Sequence, residues 1–163
     1  RNADVMLVTY NGYALRFPSQ DVPVVGAKAA GVKSINLKDD DFVVASYFAD
    51  TDSFYVLTQR GALKRVNFNE MPAKSRAGRG LQILRDLKKA PHKVFASGTV
   101  KNVYGGDLFS ETDQELQILQ VMSQTDKLFE INLPDLNLLD RTSNGSFIFD
   151  EAIEGGVKSV NIN

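Results

Sequence analysis

Val5 to Phe48 reads VMLVTYNGYALRFPSQDVPVVGAKAAGVKSINLKDDDFVVASYF, and the same order of residue types returns 49 positions later. That shift places Thr9 on Thr58, Gly12 on Gly61, Arg16 on Arg65 and Gly31 on Gly80 without a gap. The matches fall at a turn, on the strand after it and at the end of a small-residue loop, where backbone geometry is most demanding. A shift of 114 brings Leu128–Ile131 (LFEI) onto Ala14–Phe17 (ALRF), Asp135 onto Asp21 and Gly145 onto Gly31. This third copy is degenerate: Asp126 replaces Gly12, Glu130 replaces Arg16 and Thr142 replaces Lys28.

Each copy reads as β structure. Val5–Thr9 and Phe54–Thr58 are apolar, β-branched or aromatic runs that end at Asn11-Gly12 and Arg60-Gly61, the first a strong hairpin turn. Tyr13–Phe17 and Ala62–Val66 are the return strands. A polar connection follows, then the small-residue loop, then strands over Val32–Leu37 and Phe42–Tyr47. Leu81–Lys89 has helix propensity, but its equivalence to Val32–Leu37 predicts a strand. Four short strands in about 50 residues are the unit of a propeller blade. The expectation is an all-β, propeller-like chain of about three four-stranded blades over residues 5–50, 54–100 and 117–163. The acidic KNVYGGDLFSETDQE is inserted as a loop at about 101–116. Three blades make a partial ring, with either an open edge or further blades to complete it.

Charge divides along the chain. Residues 59–93 carry ten Lys or Arg against Glu70 and Asp86, a net +8, whereas residues 1–58 sum to −2 and residues 101–163 to −7. The whole chain of 163 residues is at −1, so the average hides the one basic region. Cysteine is absent, which removes disulfides and thiolate chemistry and favours a cytosolic location. No apolar run has the length of a membrane span, and a start at Arg1 rather than Met suggests a piece of a longer protein. Catalytic constellations are not assembled. His92 is the single histidine, and Gly78-Arg79-Gly80 lacks the Lys-Ser/Thr of a nucleotide loop. Asp39-Asp40-Asp41 lacks further ligands at calcium-loop spacing and reads as a polar turn. No metal site is expected.

The loops Gly26–Gly31 (GAKAAG) and Ser75–Gly80 (SRAGRG) occupy one place in successive units and mix cations with residues small enough to let a phosphate backbone approach. Turning the chain explains their glycines but not their cations. Neither a recognition helix nor paired stacking aromatics is present, so duplex binding without base reading is expected.

With these residues in hand, the pattern VMLVTYNGYALRFP, a Gly-Ala-Lys loop and GVKSINL resembles the C-terminal DNA-wrapping domain of bacterial type IIA topoisomerase A subunits, those of gyrase and topoisomerase IV. The likeness spans all three units and is weakest in the third. It implies a β-pinwheel whose neighbouring blades exchange strands. Gyrase carries a box, Gln-Arg-Arg-Gly-Gly-Arg-Gly; Lys74–Gly80 aligns with it, departing at Lys74, Ser75 and Ala77. The altered box, with TQRGALKR and SRAGRGLQILRDLKKAPHK, is more similar to topoisomerase IV of Gram-positive type, while gyrase blades other than the first also lack the box. The resemblance implies that the chain bends or captures double-stranded DNA through Arg16, Lys28, Lys33, Lys64, Arg65, Lys74, Arg76 and Arg79, with Arg85, Lys88 and Lys89 behind them. Arg16 and Arg65 have an alternative role in pairing with carboxylates across blades. It further implies a non-catalytic fragment with no cofactor of its own. ATP and Mg2+ would serve the parent enzyme, whose breakage-reunion domain and ATPase B subunit would be protein partners, in the bacterial cytoplasm. A propeller that docks an acidic protein is the competing class.

Overall fold

A computed structural model describes residues 3–22, 35–102 and 116–163. The expected hairpins are present. Strand β1 (Asp4–Thr9) pairs antiparallel with β2 (Tyr13–Pro18), and β3 (Val43–Ala49) lies on the other side of β1. The second unit repeats this with β4 (Ser53–Thr58), β5 (Ala62–Asn67) and, after the short β6 (Leu81–Gln82), β7 (Val94–Val100). The third has β8 (Ile118–Ser123), β9 (Leu128–Asn132), β10 (Ser146–Phe147), the short helix α1 (Glu151–Glu154) and β11 (Val157–Ile162). A hydroxyl closes each hairpin turn. Thr9, Thr58 and Ser123 accept from the amides of Tyr13, Ala62 and Lys127. Gly12 and Gly61 hold φ of 92° and 95° in these turns, and Asp126 takes the same left-handed region at 65°.

Period-two alternation decides the packing. β4 is buried along its whole length, so both of its faces meet a core. Phe54 and Val56 join Met6, Val8, Ala14, Val66 and Ile83 between the first and second sheets. Tyr55 and Leu57 join Leu63, Leu119, Val121, Leu133 and Phe149 between the second and third.

The sheets do not coincide with the sequence repeats. The first runs β3-β1-β2-β6 and the second β7-β4-β5-β10, so each takes its outermost strand from the following repeat; the third holds β11-β8-β9. The two junctions are built alike. Gln82 and Leu81 pair with Tyr13 and Ala14, and Phe147 and Ser146 pair with Ala62 and Leu63. Lys74 N donates to Arg16 O (2.7 Å) and Ile83 N to Gly12 O (2.8 Å); Leu139 N donates to Arg65 O (2.8 Å) and Ile148 N to Gly61 O (2.9 Å). Gly80 and Gly145 precede the exchanged strands at φ of 80° and 82°. A Cβ there would lie 2.6 Å from Ala14 O and 2.7 Å from Leu63 O.

Two expectations are corrected. Leu81–Lys89 forms a strand only at Leu81–Gln82, because Ile83 and Leu84 turn inward as buried residues of the core between the first two sheets. Residues 35–37 of the expected strand Val32–Leu37 are irregular, and the remainder lies outside the described residues. The insertion beyond Asn102 also lies outside them, but its base is closed by Lys101 N donating to Gln117 Oε1 at 2.8 Å.

Candidate nucleic-acid interface

The exchanged strands place the small-residue loops of the second and third repeats on the outer edge of the preceding sheet. Lys74–Gly80 therefore sits on the first sheet, beside β2, and Leu139–Gly145 on the second, beside β5. Lys74 and Arg79 are exposed, and no hydrogen bond or ion pair engages either side chain among the described residues. Arg76 is half-buried and donates from Nε to Asp21 O at 3.0 Å. The backbone keeps the loop's curvature through Ala77, whose φ of 68° is a glycine-like conformation. Arg85, Lys88 and Lys89 are exposed on the segment after β6. Lys38, which no sequence pattern singles out, lies over the Tyr13 ring at 5.4 Å and shares a cavity of about 190 Å³ with Tyr13 and Arg79. Asp41 lines the same cavity. The rim is thus mixed near the β1–β2 turn and cationic along the Lys74–Arg79 loop.

Three other predicted contacts are turned to a different use. Arg16 pairs with Asp4 at 2.8 Å, and its NH1 donates to the carbonyls of Phe68 (3.1 Å) and Met71 (3.2 Å) in the next repeat. Arg65 donates to Ser53 Oγ (2.8 Å) and to the carbonyls of Pro134 and Leu136. Each guanidinium thus ties a return strand to the 3₁₀ turn of the following unit, Phe68–Glu70 or Leu133–Asp135. The tie across blades agrees with their alternative role, but its acceptors in the next blade are carbonyls rather than carboxylates. Lys64 is only 1% exposed, which takes its ammonium out of reach of a phosphate. Its Nζ donates at 2.5 Å to the carbonyls of Ile83, Arg141 and Ser143. Burial pushes its pKa down to about 7, with Glu70 and Asp140 opposing and Arg141 adding to the shift. A lone lysine on the face of β5 that carries Ala62 and Val66, at the position of Leu15 in the first unit, is the sequence signal for this role. Lys28 and Lys33 lie outside the described residues.

Arg141 is a further structural cation that the sequence does not single out. It bridges the two junctions, with Nε on Gln82 O (3.1 Å) and NH1 on Glu70 O (2.8 Å). His92 is buried, between Thr58 Oγ1 (2.8 Å) and Arg60 (3.3 Å), so it packs inside rather than facing the rim. Among the described residues no three His, Cys, Asp or Glu side chains are grouped to hold a metal ion, and no helix is long and apolar enough to cross a membrane.

Comparison with known proteins gives one consistent picture. The family model described as DNA gyrase C-terminal domain, beta-propeller, matches residues 3–48 and 52–101. The DNA topoisomerase 4 A subunit of Streptococcus pneumoniae is 57% identical over 149 residues, covering 90% of this chain and 18% of that protein. Its Bacillus subtilis namesake is 42% identical over 161 residues, covering 97% of this chain and again 18% of the relative's length. The chain therefore spans about a fifth of these relatives. The crystal structure of a C-terminal domain of DNA topoisomerase IV superposes with a TM-score of 0.82 at 36% identity, over 98% of this chain and 46% of that one. A DNA gyrase A C-terminal domain shares the fold, with a TM-score of 0.75 at 17% identity, over 99% of this chain and 51% of that one.

Proposed function

The chain belongs to the DNA gyrase C-terminal domain family of β-propellers, and from that premise we propose that it binds and bends duplex DNA along its outer rim, without reading bases, as part of a topoisomerase IV A subunit. The observation that carries the reading is the Lys74–Gly80 loop. Its exposed Lys74 and Arg79 stand on the outer edge of the first sheet with no carboxylate bonded to them among the described residues. Cations held this way exchange counterions for phosphate at little conformational cost.

In the parent protein this grip would feed DNA to the strand-passage machinery and favour decatenation and relaxation of supercoils. Strand cleavage, ATP and Mg2+ would belong to the breakage-reunion domain and the ATPase B subunit, not to this segment. The reading is tested by titrating a short duplex with the chain at 50 and 200 mM salt. Neutralisation of about four phosphates predicts an affinity loss of about a hundredfold across that range. Binding that ignores salt, or a preference for an acidic protein over DNA, would overturn it.

A further inference from the structure

The first and second sheets carry equivalent rim loops on different supports. Under Lys74–Gly80 lies the apolar Leu15; its Cδ1 is 3.7 Å from where a Cβ of Gly78 would be. Under Leu139–Gly145 lies Lys64, at the equivalent position. Its three ammonium hydrogens match the three carbonyls at 2.5 Å, of Ile83, Arg141 and Ser143, and Asp140 O lies at 3.4 Å. Carbonyl oxygens turned toward one buried point repel one another unless a cation sits there. The loop's inward-facing carbonyls and the lysine are therefore one device. It acts at the outer end of the interface between the first two sheets, where the chain leaving β6 meets the chain approaching β10.

That device reaches the rim through two hydrogen bonds. Asn144 Oδ1, one residue beyond the clamped stretch, accepts from the amide of Arg85 at 2.8 Å. Arg141, inside it, donates to Gln82 O at 3.1 Å. A groove lined by Gln82, Arg85, Asp86, Asp140, Thr142 and Ser143 opens between the two segments. The charged groups facing the ammonium are Glu70 from the 3₁₀ turn and Asp140 and Arg141 from the loop.

We propose that Lys64 is a positioning residue for DNA binding: its buried ammonium gathers the carbonyls of Arg141, Ser143 and Ile83, and so sets where the loop before β10 holds Arg85 on the rim. The inference rests on the rim reading above. The amine without its proton has two hydrogens for three close carbonyls, so the clamp loosens as Lys64 titrates.

The test compares the wild-type chain with K64M, reading amide-exchange protection at Arg85 without DNA and affinity for a short duplex from pH 6 to 9. In the wild type, protection at Arg85 and duplex affinity both decline as pH rises. In K64M the Arg85 amide is less protected, and its protection is flat across this pH range. The duplex affinity of K64M is about tenfold weaker, with a salt slope lower by about 1. The β1–β2 and β4–β5 hairpins keep wild-type protection. Wild-type protection at Arg85 in K64M, or an unchanged affinity and pH profile, would overturn the proposal. If K64M does not fold, the wild-type profile decides: pH-independent protection at Arg85 sinks the idea. A wild-type chain with no duplex affinity removes the rim reading itself, whereas a binding wild type with an indifferent K64M removes only this one.

Discussion

Ala77 carries a φ of 68°, a left-handed curve that an alanine disfavours. Relieving it should help. A77G is expected to raise unfolding stability by about 1 kcal/mol, the left-handed penalty less the added chain entropy; a lower or unchanged denaturation midpoint would show that the conformation costs nothing. His92 makes the second prediction at this scale. A guanidinium can only donate, so Nε2 accepts from Arg60 and Nδ1 carries the hydrogen toward Thr58. Burial, with Arg60 beside the ring, holds its pKa below the ordinary 6.5. The unfolded chain then binds more protons between the two values, and stability falls as pH drops below about 6.5. H92Q keeps a polar partner without the titration. Denaturant midpoints from pH 7 to 5 should fall less steeply in H92Q than in wild type, and equal slopes would reject the assignment.

At the scale of elements, the exchanged strands decide how three hairpins become one body. They are two residues long, so what seats them is the glycine before each and the arginine on the strand they join. G145A pushes a Cβ against Leu63 O and demands a left-handed alanine, a cost of about 2–3 kcal/mol. R65M removes three donated bonds and should cost about 2 kcal/mol while leaving duplex affinity nearly intact. Unfolding titrations of both variants check these values. The hairpins were legible in the sequence because alternation over five or six residues and turn residues such as Asn11-Gly12 report a strand locally. Strand exchange was not legible from residues alone, since Leu81-Gln82 and Ser146-Phe147 are too short to show a period; only the family likeness implied it. Arg16 and Arg65 stayed open between two roles and Lys64 read as a DNA contact, because in sequence a cation looks alike whether it meets phosphate or carbonyl. Burial distinguishes them, and burial depends on the neighbouring unit.

Across the whole molecule, eight of the ten Lys and Arg of residues 59–93 separate into two populations, while Arg76 donates to Asp21 O and Lys93 to Asn11 Oδ1. Arg60, Lys64 and Arg65 are engaged inside and between sheets by Glu151, by carbonyls and by Ser53. Lys74, Arg79, Arg85, Lys88 and Lys89 remain exposed. The first group makes the arc of sheets, and the second gives that arc an edge attractive to a polyanion. On the second sheet Leu139 and Asn144 stand where Lys74 and Arg79 stand on the first, so the basic rim fades from the first sheet to the second. If the exposed loop cations bind DNA while the buried ones hold the fold, removing the former should cost binding and leave stability alone. The most direct test is the salt dependence of duplex binding by K74E/R79E. The predicted result is a salt slope smaller by about 2 and an affinity at least about tenfold lower, with the thermal midpoint unchanged; wild-type affinity and slope in that variant would contradict it.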